Sequence, residues 1–360
     1  MLGHMEPDST TNPDLRVRGG DPVTASLRLD FAARTDVGRE RHHNEDSLFV
    51  ARSGHPGTTH PCAEPIDVAA PGWVALGVCD GMGGAAAGEV ASRSAVEIIG
   101  SALADGGEIA TPSELGHRLV ESLQIAAGRI HAEATRHGGL AGMGTTATVC
   151  ALAGDALFVA QVGDSRAYVL RGGRLTQITR DQTLATLMME QGQLTKEELP
   201  TFAFNNVILQ ALGTTPRVDV DLVRVTVRRG DVLLICSDGL SGPVDDETIR
   251  RTLEEHATPI EAAEALIALA NAAGGPDNVT AIVARIDLEG DALAGSDDEV
   301  IALKGGGLEP RRIGAAAPDD RATPAVISGE PDEPGEPEEP RRGALGRVIA
   351  FLRGALLPGG

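Results

Sequence analysis

The chain has 360 residues, of which 42% are hydrophobic and only 2% aromatic, and it carries a formal net charge of -21. That is enough apolar material for one large domain with a tail, or for two domains, with a core built from Ala, Val, Leu and Ile. So acidic a surface repels phosphate backbones and anionic lipid, which excludes a general nucleic-acid binder, and it suits a protein that gathers divalent cations.

Residues 1–24 are polar and rich in Pro, Asp, Thr and Gly, and read as a disordered segment. A first strand is expected over 27–33. A charged loop follows, Thr35 to Asp46, and leads into a short strand at 47–51. Residues 52–72 hold Pro, Gly, Thr and two His and read as an exposed insertion. The apolar run 73–79 predicts a buried strand. Residues 85–103 and 114–137 have apolar positions at helical spacing, with Pro112-Ser113 opening the second helix and Gly138-Gly139 stopping it. Four strands are expected at 145–153, 156–162, 166–171 and 174–178, with hairpin turns at Gly154-Asp155 and Gly172-Gly173. Residues 181–212 read as mainly helical with breaks. Strands are expected at 218–227 and 231–236, helices at 246–255 and 259–273, and a last strand at 279–286. Strands cluster with hairpin turns instead of alternating with helices. The fold class expected is therefore α+β: two antiparallel β-sheets packed as a sandwich, flanked by helices on both sides.

From 289 the composition changes. Residues 289–340 read as an acidic Pro/Gly-rich disordered linker. In 341–360, Leu345, Val348, Ile349, Leu352 and Leu356 would share one face of a short amphipathic helix. The cysteines Cys62, Cys79, Cys150 and Cys236 show no paired spacing, and three sit inside apolar runs. They read as buried thiols of a reducing compartment, not as disulfides or a zinc site. The N-terminus is polar, without a signal peptide, and no apolar run nears the ~18 residues of a membrane span. The expected location is the cytoplasm.

The chemistry lies in aspartates at strand ends. Asp80-Gly81 alone is a common turn dipeptide. Yet Asp238-Gly239 ends another apolar strand, Asp164 follows a third, Asp277 precedes a fourth, and Glu45-Asp46 opens a fifth. Carboxylates brought together in this way repel unless cations lie among them. Carboxylates, a glycine carbonyl and waters are ligands for Mg²⁺ or Mn²⁺, not for zinc or copper.

In chain order the motifs are Arg41-x-x-Asn44-Glu45-Asp46, Asp80-Gly81-Met82-Gly83-Gly84, Gly142-Met143-Gly144-Thr145-Thr146, Val162-Gly163-Asp164-Ser165-Arg166, Cys236-Ser237-Asp238-Gly239-Leu240 and Gly275-Pro276-Asp277-Asn278-Val279. This series resembles the bacterial branch of the metal-dependent serine/threonine protein phosphatases, the type 2C family, over about residues 27–286. The resemblance implies a catalytic domain at 25–288 and two core ions of Mn²⁺ or Mg²⁺. Asp80 would bridge the ions and position the nucleophilic water. The Gly81 carbonyl, Asp238 and Asp277 would complete the core. Asp164 would bind a third metal, Asp46 would hold outer-shell waters, with Glu45 a further candidate there, and Arg41 would grip the substrate phosphate. The implied reaction is hydrolysis of phosphoserine and phosphothreonine by a hydroxide held between the ions. The implied partners are phosphorylated proteins, including a bacterial serine/threonine kinase and its substrates, and the implied state is a monomer. Two alternatives stay open: a phosphatase dedicated to one regulatory protein, and a non-catalytic phosphoprotein-binding module of the same fold.

The sequence departs from the family pattern in places. Met82 and Ala85 stand where some members carry a histidine able to protonate the leaving oxygen. His42 and His43 read as exposed loop residues. Residues 181–212 match the flap that affects substrate choice, but 201–206 lacks the His-Pro often found there. Gly144-Thr145-Thr146 reads as structural, and Asp155, Asp181 and Asp231 read as turn residues.

Overall fold

The computed structural model describes residues 26–83, 87–288, 299–304 and 311–312. The expected N-terminal segment, most of the linker and the C-terminal amphipathic segment lie outside them. Two units are distinguished, and the second takes in residues 183–207.

The first unit opens with β1 (Leu27–Asp36), β2 (Asp46–Arg52), β3 (His55–Thr58), β4 (Cys62–Val68) and β5 (Val74–Met82). Two helices follow, α1 (Ala87–Asp105) and α2 (Pro112–Arg136). Then come β6 (Gly144–Thr145), β7 (Ala147–Ala153), β8 (Ala156–Val162), β9 (Arg166–Arg171) and β10 (Arg174–Gln177). The second unit holds α3 (Leu184–Glu190). The chain then returns through β11 (Asp221–Thr226), β12 (Val232–Cys236), α4 (Asp238–Ser241), α5 (Asp246–Glu255), α6 (Pro259–Ala272) and β13 (Val279–Leu288). Short strands β14 (Glu299–Lys304) and β15 (Arg311–Arg312) lie beyond the expected domain end at 288 and extend a sheet through β11.

The strands form two antiparallel sheets. One has six strands in the order β10-β9-β12-β13-β1-β4, and the other has nine, β15-β14-β11-β8-β7-β5-β2-β3 with β6 on β5. One apolar core lies between the sheets, with Leu29, Phe31, Leu76, Val159, Ile235 and Ile282 in it. A second packs α1 and α2 on the nine-stranded sheet, and a third packs α4, α5 and α6 on the six-stranded one. The layer order is therefore helix, sheet, sheet, helix, as the strand clustering predicts. Central strands β7 and β8 are buried along their whole length, which is why they read as unbroken apolar runs. The aromatic shortage is met by small residues: α1 turns Ala87, Ala91 and Ala95 inward, and these bring its backbone close to the sheet.

Two expectations change. Residues 52–72 are largely exposed, as expected, but they form two strands. β3 pairs with β2, and β4 pairs with β1 along seven positions, burying Ile66 and Val68. Pro65 inside β4 is tolerated because β4 is the edge strand, with one side free of ladder bonds. Residues 181–212 are not mainly helical. Only α3 and a 3₁₀ turn at Leu199–Thr201 form there. Gly192 at φ +67 ends the helical course, and Pro200 cannot donate to a helix ladder. Residues 183–207 instead close on themselves. Leu184 N–H donates to Val207 C=O, and Leu184, Ala185, Met188, Leu194 and Phe202 form a small core.

Cys79, Cys150 and Cys236 are buried, Cys62 is half-buried, and all four are free thiols. Among the described residues no helix is long and apolar enough to cross a membrane.

Candidate metal centre

The centre is assembled from strand ends of both sheets. Asp46 and Asp80 are direct partners in the β2–β5 ladder. From the six-stranded sheet, Ser237 after β12 and Thr280 in β13 both donate to Asp46 Oδ2 at 2.7 Å. Asp238 opens α4 beside Ser237, Asp277 immediately precedes β13, and Asp164 lies in the β8–β9 turn. Asp80 feels the charges of Asp46, Asp238 and Asp164, and Asp238 feels that of Asp277, so the five sequence-selected aspartates come together.

Local structure holds each one. The Asp80 backbone is clamped by the Gly-Thr-Thr motif. Its N–H donates to Thr146 Oγ1 at 3.0 Å, and its C=O accepts from Thr146 N–H and Thr145 Oγ1, both at 2.8 Å. Gly81 is buried in β5, and a Cβ there would lie 2.2 Å from Gly88 C=O, so only glycine lets this strand approach α1. Gly239 is required in the same way, since its Cβ would lie 1.9 Å from Asn278 C=O. Asp164 is reached through Gly163 at φ +103, packed on Thr146.

Burial raises the Asp46 carboxyl to about 7, and nearby Asp238 and Asp277 add to the effect against the two hydroxyls. Burial also raises Asp164 to about 7, helped by Asp238 and Asp181. Asp80 is driven well above the carboxylate range by burial, then by Asp46, Asp238 and Asp164. Asp238 is raised by burial and Asp277. In each case burial is the largest cause, and the neighbouring carboxylates add to it.

The donor set fits hard cations. Asp46 Oδ1 and Asp238 Oδ1 are buried without a hydrogen-bond partner. Such acceptors are costly unless a cation or water meets them. Among the described residues no group of three or more His, Cys, Asp or Glu is placed to hold a metal ion by itself. Mg²⁺-like ions need none, because they keep several waters and take one or two carboxylates.

Arg41 stands at the rim, with its side chain half exposed, and donates from Nη2 to Asp277 Oδ2 at 2.7 Å. Burial works against its charge, but Asp277, Glu45 and Asp80 hold the guanidinium protonated above its ordinary range. Glu45 is half-buried and raised by burial, with its backbone C=O accepting from Gly81 N–H. His42 and His43 are exposed, as expected.

Asp181 and Asp231 are more than turn residues. Asp181 receives Arg166 through both oxygens at 2.6–3.0 Å, and Asp231 receives Arg171 at 2.6 and 2.9 Å. Gly144-Thr145-Thr146 is structural as expected, in that it clamps Asp80, but no role for the hydroxyls of Ser237 and Thr280 or for the side chain of Asn278 was legible in the sequence. Each of these three lies in or beside a motif that supplies an aspartate, but the partners that give it a role come together only in the fold.

Residues 60–272 match the family profile described as Protein phosphatase 2C. The chain is 37% identical over 284 residues to the serine/threonine protein phosphatase PstP of Mycobacterium tuberculosis, covering 76% of this chain and 50% of that protein. It thus spans about half the length of that relative. It is 35% identical to the serine/threonine phosphatase stp of Listeria monocytogenes, over 71% of this chain and 95% of that one. Among solved structures, the PstP catalytic domain in complex with two manganese ions matches with TM-score 0.60 and 38% identity, over 72% of this chain and 99% of that one. Stp1 from Staphylococcus aureus matches with TM-score 0.64 and 31% identity, over 72% and 95%. The fold defines a class, the two-sheet, helix-flanked architecture that these solved phosphatase structures share. The chain belongs to the protein phosphatase 2C family.

Proposed function

We propose that the chain hydrolyses phosphoserine and phosphothreonine in proteins with Mn²⁺ or Mg²⁺ as cofactor. The observation that supports this best is the meeting of Asp46 and Asp80, from strands of one sheet, with Asp238 and Asp277, flanking strands of the other, and Asp164, from the turn that joins the two, around buried oxygens without partners. Asp80, Asp238, Asp277 and the Gly81 carbonyl would hold two ions. Asp164 would hold a third, and Asp46 would order water beyond them. Bound there, such ions supply Lewis acidity and lower the pKa of water near phosphorus.

The chain's own residues do the rest. Thr145 and Thr146 fix the Asp80 backbone, so its carboxylate is delivered without reorganisation. Arg41 offers a planar fork to the non-bridging phosphate oxygens, and a fork matches them better than an ammonium point charge. Asp277 holds that fork at the rim before substrate arrives. Met82 has no proton to give, so the leaving seryl or threonyl oxygen takes its proton from water in the site. The substrates we infer are cytoplasmic proteins phosphorylated by a serine/threonine kinase, with 25–288 as the catalytic unit.

The test is release of phosphate from phosphothreonine and phosphoserine peptides by the purified chain, with Mn²⁺ and with chelator. Release only with metal is expected. No release from either peptide with Mn²⁺ present would overturn the assignment.

A further inference from the structure

Asn278 joins parts of the site that are far apart in sequence. It is only 5% exposed. Its Oδ1 accepts from Glu45 N–H at 2.7 Å. Its Nδ2 donates to Val37 C=O and to His43 C=O, both at 2.8 Å. One side chain therefore ties both ends of the 37–45 loop, and Arg41 lies between the tied points. Its backbone N–H donates to Asp277 Oδ1 at 2.8 Å, while Asp277 Oδ2 accepts from Arg41. Its C=O lies where a Cβ on Gly239 would fall, next to Asp238.

The loop passes very near Asp277. Gly38, at φ +87, would place a Cβ 2.2 Å from Asp277 C=O. Arg39 and Glu40 N–H both donate to Gly275 C=O, at 2.8 and 3.2 Å. These two bonds fix only the loop's start. The far end, at His43 and Glu45, is fixed to this strand by Asn278. An amide is the side chain this place requires. It needs one acceptor and two donors, and Asn has all three on a stem short enough to remain buried. Aspartate would meet two carbonyls with acceptors, and alanine would leave three part-buried backbone groups without this partner.

We propose that Asn278 is the positioning residue for Arg41: it sets the loop so that the guanidinium faces the phosphate site, and it acts on turnover through Arg41. The proposal rests on the functional reading above, in which Arg41 grips phosphate. It assigns Asn278 no contact with substrate or metal.

A double-mutant cycle between Asn278 and Arg41 tests this, with a phosphothreonine peptide and Mn²⁺. Asn278→Ala should lower kcat/KM by roughly ten- to a hundredfold, mainly through KM, because an orienting partner has been removed. In an Arg41→Ala background, the same change should cost no more than about twofold. Asn278→Asp keeps one of the three side-chain bonds and nearly the native shape, so it is run in parallel should the alanine variant not fold. Hydrogen exchange gives a readout independent of activity. Peptides covering 37–46 should exchange faster in either Asn278 variant, while peptides covering β7 and β8 keep wild-type rates. Losses that add in the cycle would overturn the proposal, as would unchanged exchange at 37–46. A wild-type chain that releases no phosphate would sink the functional reading instead, and exchange would still decide whether Asn278 anchors the loop.

Discussion

Asp46 and Asp80 face each other across the β2–β5 ladder, each the direct register partner of the other. Side chains at directly opposed positions share a face of the sheet, and like charges there are destabilising. Ser237 and Thr280 occupy one oxygen of Asp46, and the other is buried without a hydrogen-bond partner. The pair reads as a place that needs cations.

Stability should therefore follow metal. At about one hundred times its Kd, Mn²⁺ should stabilise the chain by about 2.7 kcal/mol, roughly 5–10 °C in Tm for a domain of this size. Asp80→Asn should abolish most of that shift. In chelator it should melt at or above wild type, because a neutral amide opposite Asp46 relieves the repulsion. Differential scanning calorimetry with and without Mn²⁺ gives both numbers. A wild-type Tm indifferent to Mn²⁺ would count against the centre.

Asp80→Asn and Asp238→Asn should each remove metal-dependent hydrolysis of p-nitrophenyl phosphate while leaving the circular dichroism spectrum intact. Both keep the side-chain shape and lose the charge that a cation would meet. Turnover within a few fold of wild type in either variant would show that these two carboxylates are not the core of the site.

Arg41→Ala should act chiefly on KM. A charge-assisted pair with phosphate is worth about 1.5–3 kcal/mol, or roughly ten- to a hundredfold in kcat/KM. Arg41→Lys should recover only part of it, since the forked geometry is lost. Steady-state kinetics on a phosphothreonine peptide separates the terms, and a fall in kcat at constant KM would point to a different role.

Asp181→Ala should destabilise the fold by about 1–3 kcal/mol, between the values for an exposed and a buried pair, because this pair is partly buried. Arg166 would lose its carboxylate and keep only Tyr168 OH, at 3.0 Å. Urea unfolding measures this, with an unchanged m-value expected. A change below about 0.5 kcal/mol would mean the pair is no more than a surface contact.

The fold and the five strand-end aspartates that cluster in it were legible because each rests on a local signal. Buried strands such as β7 and β8 are apolar runs, and each aspartate sits at the end or start of such a run. β4 was not legible because only Ile66 and Val68 of its seven residues are buried, and Pro65 argues against a strand until its edge position is known. The 181–212 segment misled for the opposite reason. Its Leu and Met residues suggest a helix, but they fold onto a small core of their own after a single short helix. Asn278 could not be read at all, because its three partners are backbone groups of residues 37, 43 and 45, whose nearness depends on β1 pairing with β13.

The five aspartates are divided between the sheets: Asp46 and Asp80 belong to strands of one, Asp238 and Asp277 flank strands of the other, and Asp164 lies in the β8–β9 turn that passes between them. On the proposed reading, activity is then a conjunction that neither sheet satisfies by itself. A chain emerging from the ribosome stays silent until its last site aspartate, Asp277, has been made and β13 has settled between β1 and β12. A fragment clipped anywhere before that point is inert. On that reading, an enzyme that erases phosphate marks would carry its own quality control, since only the finished fold would act on other proteins.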